Sequence, residues 1–174
     1  MGKIKPPEKA KLFFAVMYTD EKIYKLALRD LNKEFGEVDE ESKPFEFNMT
    51  QYYEKEMGSG LLKRFVIAKE LIDKERLAEI KIKTNSIEER YAGKNRSRTI
   101  NIDPGYITHS KLVLATTKNY SHRIYLRDGI FAEVTFNFKK NSIEFNPWTY
   151  PDYKLPAATK FFLEVHRKYM EEVK

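Results

Sequence analysis

The hydrophobic positions of this 174-residue chain change their spacing several times, and each spacing predicts an element. Residues 12–18, LFFAVMY, form a continuous apolar run of strand length, which is typical of a strand buried on both faces. Apolar residues then recur at helical spacing over residues 23–35. Thr19 or Asp20 offers an N-cap for this helix, and Gly36 offers a stop. The start of the chain therefore predicts a central strand followed by an amphipathic helix.

Residues 37–102 continue with alternating segments and a second helical stripe. Together with the first two elements they give the order βαββαβ, which is the order of a ferredoxin-like split unit. We therefore predict an α+β fold with a mainly antiparallel sheet and a ferredoxin-like first part. The predicted segments are an acidic loop at 37–41, a strand at 44–49, a loop at 50–60 with the composition of a mobile flap, a strand at 61–69, a helix capped by Asp73 and ended by Gly93, and a strand at 99–102.

The remainder of the chain predicts a C-terminal β-hairpin and a helix. Asp103-Pro104-Gly105 predicts a turn, and residues 107–117 fit either a short helix or a strand. We favour the helix, because Thr108 or Ser110 can satisfy amides of its first turn. The other predicted elements are strands at 122–126 and 130–138 joined across Arg127-Asp128-Gly129, an aromatic loop at 146–153 with two prolines, and a closing helix that begins near Pro156.

Size and composition predict one globular domain, residues 1–174, with a loose Lys- and Pro-rich leader at 1–10. No apolar run approaches the length of a membrane span. We also expect no export signal, because the apolar run after the first lysines is short and is followed by charged residues. The absence of cysteine excludes disulfides and thiolate chemistry, so we expect a cytoplasmic protein. Charged residues are frequent, as in many proteins from hot environments.

The net charge of +6 comes from one part of the chain. Residues 61–127 carry 15 Lys and Arg against 7 Asp and Glu, a difference of +8, whereas the flanking parts are slightly acidic or neutral. Between residues 90 and 127, Asp103 is the only acid among eight basic residues. This excess favours an anionic partner, although acids from elsewhere in the fold can balance it in space.

Common cofactor and metal motifs are absent from the sequence. There is neither a GxxxxGK[ST] phosphate loop nor a GxGxxG dinucleotide motif. The three histidines, His109, His122 and His166, show no metal-binding spacing. We therefore expect no metal site and no bound cofactor.

Four side chains are candidates for acid–base catalysis: His122, His109, Asp103 and Glu133. Either histidine can move a proton near neutral pH, and either carboxylate can orient it. Each also has a structural interpretation, because Asp before Pro-Gly often accepts backbone amides in a turn, and a polar row on a strand often faces water.

A second set of residues provides cations and aromatic rings for an anionic ligand. Guanidinium and ammonium groups bind phosphate or carboxylate, and aromatic rings near them stack on nucleobases. The aromatic loop can equally close over a core. The candidates are Arg96, Arg98, Tyr106, Lys111, Lys118, Arg123, Trp148 and Tyr150.

Several phrases resemble an uncharacterised prokaryotic family, the domain of unknown function 4416 family. They are NIDPGY (101–106), SKLVLATTKNYSHRIYL (110–126), GIFAEVT (129–135) and WTYPDY (148–153), and the similarity covers nearly the whole chain. The resemblance implies a cytoplasmic single-domain protein and brings no established activity or catalytic residues. Automated names sometimes call such proteins GTP-binding, but Tyr120 stands where a guanine-reading [NT]KxD motif needs Asp.

Three functions follow as hypotheses. The first is a module that binds a phosphate-bearing ligand, a nucleotide or RNA, through the basic segment. The second is an enzyme that acts on a small phosphorylated metabolite with a His and Asp or Glu pair. The third is a protein-interaction domain that docks a partner on its aromatic loop. The oligomeric state does not follow from the sequence.

Overall fold

The computed structural model describes residues 2–49 and 53–174. Within them the chain forms nine strands, three long helices and one short helix. The strands are β1 (Ala10–Tyr18), β2 (Val38–Glu41), β3 (Phe45–Glu46), β4 (Leu62–Ile72), β5 (Ile100–Ile107), β6 (Lys111–Thr116), β7 (Ile124–Arg127), β8 (Ile130–Lys139) and β9 (Ser142–Phe145). The helices are α1 (Glu21–Phe35), α2 (Glu54–Met57), α3 (Leu77–Arg90) and α4 (Pro156–Glu172).

All nine strands belong to one antiparallel sheet with the order β2-β4-β1-β5-β6-β8-β7. The short strand β3 also pairs with β4, and β9 also pairs with β8. The prediction of an α+β fold with a mainly antiparallel sheet is therefore confirmed. The ferredoxin-like order of its first part is not confirmed. β1 lies between β4 and β5, two short strands share the place of the predicted second strand, and the sheet continues beyond β5.

Helices cover both faces of the sheet, and β1 supplies the centre of both cores. Phe14 and Val16 pack on one face with α1 and α3, whereas Phe13 and Ala15 pack on the other face with α4. Every residue of β1 is buried, as the continuous apolar run predicts. Phe162 of α4 meets Phe13 edge-on, with ring centroids 5.6 Å apart.

Three local predictions are confirmed by their chemistry. The Asp20 side chain caps α1 by accepting the backbone N–H of Lys22 at 2.5 Å, and Gly36 ends the helix with a φ of 89°. Asp128 and Gly129 join β7 to β8 with φ values of 53° and 77°, the conformation of a type I′ hairpin turn. The closing helix α4 begins at Pro156.

Two predictions around residue 105 are wrong. The chain does not turn at Asp103-Pro104-Gly105, because β5 runs through these residues, and it pairs with β1 along its whole length. Residues 107–117 do not form a helix, since β6 occupies this segment as a buried strand between β5 and β8. Burial in the sheet outweighs the local turn and capping signals.

Smaller differences concern the ends of elements. The predicted loop at 37–41 contains β2, and the predicted strand at 44–49 shrinks to β3. Asp73 makes no capping hydrogen bond through its side chain, and a 3-10 turn precedes α3 instead. Of the predicted flap at 50–60, residues 50–52 lie outside the described residues, and Glu54–Met57 forms α2. β9 was not predicted, and a 3-10 turn at Pro151–Lys154 lies within the aromatic loop.

The beginning of the described chain has no regular structure. Residues 2–9 are exposed and form neither helix nor strand, and Ala10 is the first buried residue. In the part of the chain that the structure describes, no helix is long and apolar enough to cross a membrane.

Candidate functional site

The sheet divides at the point where β5 and β6 separate. Among the described residues, β5 pairs with β6 only at Gly105, Tyr106 and Ile107. The preceding residues of β5 stay paired with β1, while Ala115 and Thr116 of β6 stay paired with β8. A fork therefore opens between the two strands inside the sheet.

Side chains of α3 satisfy the backbone of β5 that the fork leaves without a strand partner. The N–H of Ile102 donates to Glu88 Oε1 at 2.6 Å, and its carbonyl accepts from Lys81 Nζ at 3.0 Å. Pro104, two residues farther along, points the same way but has no N–H to satisfy. Glu88 and Lys81 pair with the backbone of Ile102, and Pro104 has no N–H. The sheet can therefore be interrupted here without leaving these polar groups unpaired.

Asp103 projects into the fork and is held in its ionised form. Lys81 Nζ donates to its Oδ1 at 2.9 Å, and the Asn101 amide donates to its Oδ2 at 2.8 Å. Burial opposes ionisation of Asp103. The charge and hydrogen bond of Lys81, the bond from Asn101 and the charge of Lys63 outweigh burial, so the pKa of Asp103 lies below its ordinary value. About a third of its side chain remains exposed to the cleft.

Glu88 is the second carboxylate of the fork, and its environment raises its pKa instead of lowering it. Burial raises its pKa to about 7, and the neighbouring charge of Asp103 adds to the rise. Lys81, the Ile102 amide and Arg98 offset only part of these effects. One ammonium, that of Lys81, therefore influences two carboxylates whose pKa values differ widely.

Two adjoining cavities fill the fork, and we call them together the fork cleft. The one against α3 has a volume of about 290 Å³ and includes Lys81, Glu88, Arg98, Arg123 and Glu133 in its lining. The other, of about 310 Å³, reaches Met17, Lys63 and Asp152. Both cavities are lined by Tyr53, Asn101, Asp103, Leu114, Lys118 and Tyr150.

Lys63 closes one end of the fork cleft with a buried ion pair. Its Nζ lies 2.5 Å from Asp152 Oδ2, and both side chains are largely buried. The ammonium also lies over the rings of Phe47, Phe65 and Tyr153, at 5.2 to 5.7 Å from their centroids. Aromatic faces and one carboxylate therefore hold this cation inside the protein.

A second charged cluster forms the opposite wall. Glu133 Oε2 accepts from Arg123 Nε at 2.8 Å and lies 3.1 Å from His122 Nε2. Arg123 also donates to the Tyr150 hydroxyl at 3.0 Å, and His122 stacks on Trp148 with ring centroids 4.8 Å apart. Burial opposes the charge of Arg123, but its contacts with Glu133 prevail and raise its pKa. This arrangement fixes the imidazole between a carboxylate and an indole.

Half of the residues proposed from the sequence therefore line one cavity. His122 and Trp148 lie outside the lining of this cavity. His122 contacts Glu133, and Trp148 stacks on His122. Of the two carboxylates predicted to orient a histidine, Glu133 lies 3.1 Å from His122 Nε2, whereas Asp103 is bound by Lys81 and Asn101 instead. The six lining residues are Arg98, Asp103, Lys118, Arg123, Glu133 and Tyr150.

Four predicted residues lie elsewhere. His109 is exposed beside α4, where its carbonyl contacts the His166 ring at 2.9 Å. Arg96 lines a separate cavity next to Glu88 and Arg98. Lys111 is exposed at the start of β6, and Tyr106 packs between core clusters, where burial raises its pKa.

The residues missed by sequence reasoning lie mainly on α3. Lys81, Asn85 and Glu88 follow each other at i, i+4 and i+7, so they form one polar stripe beside the apolar one. This spacing was a usable signal. Lys63 carried another, because it alternates in phase with the buried Phe65 and Ile67.

The charges of the fork cleft are carboxylates and cations in close pairs. No group of three or more His, Asp or Glu side chains in the described residues could hold a metal ion.

No curated protein and no solved structure matches the chain. The family model described as Domain of unknown function (DUF4416) matches residues 8–169, and the chain therefore belongs to that family.

Proposed function

We propose that the fork cleft is the active site of an enzyme that performs acid–base chemistry on a small polar molecule. The observation that carries this proposal is the placement of Asp103 and Glu88 around the buried Lys81 ammonium in one open cavity. Paired carboxylates whose environments separate their proton affinities divide the roles of acid and base between them. A pocket of this size fits a small metabolite, for which cavities begin at about 300 Å³.

The roles follow from the local environment of each group. Asp103 is ionised and partly exposed, so it is the group that can accept a proton, and its lowered pKa restricts this role to an acidic proton of the substrate. Glu88 has a pKa near neutrality and donates one. Lys81 is buried, and it keeps Asp103 charged while it also binds the backbone of β5. Tyr150 and Asn101 line both cavities and can orient the substrate by hydrogen bonds.

The cations of the cleft favour a substrate with an anionic group, such as a phosphate. Arg98, Lys118 and Arg123 all line the cavity that holds Asp103. Arg98 and Arg123 also contact Glu56 and Glu133, which reduces the net positive charge. A compact metabolite therefore suits the cleft better than a polynucleotide. Binding of a nucleotide or RNA without chemistry remains the second proposal, on the strength of the same three cations.

The test is turnover of a defined metabolite mixture. Sugar phosphates, nucleotides and small carboxylic acids are incubated with the protein and followed by mass spectrometry. We expect one component to be consumed, and we expect Asp103→Asn to slow its loss by about 100-fold or more, as removal of a general base does. Asp20→Asn is the matched control, because it changes an exposed N-cap that Asn serves equally well.

Two outcomes would reject the enzyme proposal. One is a wild-type protein that consumes nothing yet binds a component in the same mixture, which would favour the second proposal. The other is turnover that Asp103→Asn leaves unchanged. If RNA binds instead, its affinity should fall steeply with salt, because each neutralised phosphate releases counterions.

A further inference from the structure

The two halves of the fork cleft differ in the chemistry of their walls. The cavity against α3 is lined mainly by charged and polar side chains. Most side chains around the other cavity, of about 310 Å³, are apolar or aromatic, and we call it the Met17 cavity. The apolar and aromatic residues of its lining include Met17, Phe47, Met49, Leu114, Tyr150 and Tyr153.

Tyr153 brings a hydroxyl without a partner to the Met17 cavity. Its side chain is 1% exposed, and its hydroxyl makes no hydrogen bond within the part of the chain that the structure describes. Burial raises the pKa of Tyr153 well above its ordinary value, and the charges of Asp152 and Asp103 add to the rise. The hydroxyl therefore stays protonated near the carboxylates of the fork cleft, as a donor that is closed to bulk water.

An unpaired hydroxyl at this position destabilises the folded protein. Buried donors are nearly always paired, and a phenylalanine would occupy the same space without an unsatisfied group. Tyr169 shows the usual arrangement, because it is equally buried in the same core cluster and its hydroxyl donates to the carbonyl of Lys9 at 2.8 Å. A tyrosine that lowers stability at the wall of a cavity indicates a partner that enters this cavity.

The walls of the Met17 cavity suit a flat aromatic ring. Thioether sulfur and aromatic faces both make favourable contacts with such a ring, beyond the contribution of buried area. Met17 and Met49 bring thioethers to the wall, while Phe47 and Tyr150 bring rings. A saturated group of the same size fills the same volume but makes weaker contacts with these side chains.

The charge of a ligand is better placed in the adjoining cavity. Lys63 and Asp152 line the Met17 cavity and not the other one, and they pair with each other at 2.5 Å, so the charge at this end is balanced. Asp103 lines both cavities. A ligand that spans them has its ring in the Met17 cavity and its anionic group beside the cations of the adjoining one, which are Arg98, Lys118 and Arg123.

We propose that the fork cleft binds a small aromatic molecule that carries an anionic group, and that the Tyr153 hydroxyl donates a hydrogen bond to an acceptor on its ring. This inference rests on the proposed function, because it concerns the same site. It narrows the substrate from any small anionic metabolite to one whose ring bears a carbonyl oxygen or another acceptor.

Titration with three phosphonates tests the proposal, and calorimetry gives their dissociation constants. Phenylphosphonate should bind the wild type at least about threefold more tightly than cyclohexylphosphonate, whose ring has as many carbons but is not flat. An acetyl group on the phenyl ring should add about fivefold in its best position, ortho, meta or para. Its carbonyl accepts the hydrogen bond of Tyr153, and one such bond contributes this much.

Tyr153→Phe should separate binding from stability. The variant should lose the fivefold gain from the acetyl group, yet its melting temperature should rise by about 3 °C, because the unsatisfied hydroxyl is gone. Tyr169→Phe is the matched control, since it removes a paired hydroxyl from an equally buried ring. This control should melt at a lower temperature than the wild type and keep the acetyl gain.

Four results would overturn the proposal. Two concern the wild type: tight binding of cyclohexylphosphonate equal to that of phenylphosphonate, or binding of none of the three compounds. They apply even if Tyr153→Phe fails to fold. The other two are a Tyr153→Phe variant that keeps the acetyl gain and one that melts at a lower temperature than the wild type.

The proposed function is tested separately, because titration requires no turnover. A protein that turns over nothing but prefers the acetylated ring would reject the enzyme and keep the ring site. A protein that turns over a substrate without a ring, in a manner that depends on Asp103, would keep the enzyme and reject the ring site.

Discussion

Asp103 and Glu88 share one cavity, and their pKa values nevertheless shift in opposite directions. Asp103 receives two direct hydrogen bonds, from Lys81 and Asn101, and these stabilise its charge. Glu88 accepts one backbone N–H, and burial together with the charge of Asp103 disfavours its ionised form. At the scale of single residues, the difference comes from the donors that reach each carboxylate.

Glu88→Gln should change how stability depends on pH. The pKa of Glu88 rises from 4.5 to about 7 on folding, so the folded state holds a proton that the unfolded state has lost between these values. The raised pKa therefore contributes stability that is fully present below about pH 4.5 and is lost as the pH rises through about 7. The loss amounts to about 3 kcal/mol of unfolding free energy. Glutamine keeps the acceptor for the Ile102 N–H, and its side chain does not titrate.

Urea unfolding at a series of pH values measures this effect. The unfolding free energy of the wild type, relative to Glu88→Gln, should decline between about pH 4.5 and 7 and then level off. Glu171→Gln, which changes an exposed glutamate of α4, is the control and should show no such trend. Parallel curves for the wild type and Glu88→Gln across this window would contradict the assignment of Glu88 as a proton donor.

At the scale of elements, β5 brings the site together. It carries Asn101 and Asp103 into the fork and ends its pairing with β6 at Gly105. Gly105 is required by close approach and not by a turn. A Cβ at this position would lie 2.3 Å from the carbonyl oxygen of Val113 and 2.5 Å from the ring of Phe13. Neither the backbone of β6 nor a ring in the core of the sheet can move away easily.

Gly105→Ala should therefore destabilise the protein by roughly 3 kcal/mol, because overpacking forces β5 and β6 apart. Denaturant unfolding gives the value directly. Gly2→Ala is the control, since a Cβ on Gly2 meets no atom within 4 Å, and its unfolding free energy should not change. A variant at Gly105 with wild-type stability would show that the two strands separate without cost, and that the fork is not fixed by packing at this glycine.

The elements that were predicted correctly are those whose local signals agree with burial. α1 has an N-cap, an apolar stripe and a stop glycine within twenty residues, and the β7–β8 hairpin has its Asp-Gly turn. At β5 and β6 the local signals and burial conflict. Asp103-Pro104-Gly105 has the composition of a turn, but two neighbouring strands and α3 determine its conformation. Local sequence does not contain those contacts.

The candidate site was predictable to the same extent. Arg123, Glu133 and Tyr150 line the cavity and lie in segments whose charged or aromatic residues make them candidates from the sequence. Lys81 and Glu88 belong to a helix that looks like an ordinary surface helix, and their role depends on where the sheet opens. The position of the fork is a property of the tertiary structure, so a sequence pattern alone cannot give it.

At the scale of the whole molecule, the start of the central strand β1 lies against the last turn of α4. Lys11 at the start of β1 binds Glu172 at the end of α4, with 2.9 Å between Nζ and Oε2. The Tyr169 hydroxyl donates to the carbonyl of Lys9 at 2.8 Å. α4 covers one face of the sheet, and these contacts attach its last turn to the central strand.

Two variants separate this attachment from the residues that precede it. Deletion of residues 2–8 should leave the unfolding free energy within about 0.5 kcal/mol of the wild type, because these residues are exposed and unstructured. Tyr169→Phe keeps the ring in the core but removes the hydrogen bond to Lys9, and it should cost about 1 kcal/mol. Both values come from the same denaturant series.

If the deletion destabilised the protein more than Tyr169→Phe, the leader would contribute to the fold, and the stable domain would begin before Lys9. If neither change had an effect, the attachment of α4 would rest on Lys11 and on the packing of Phe162 and Val165 against the sheet.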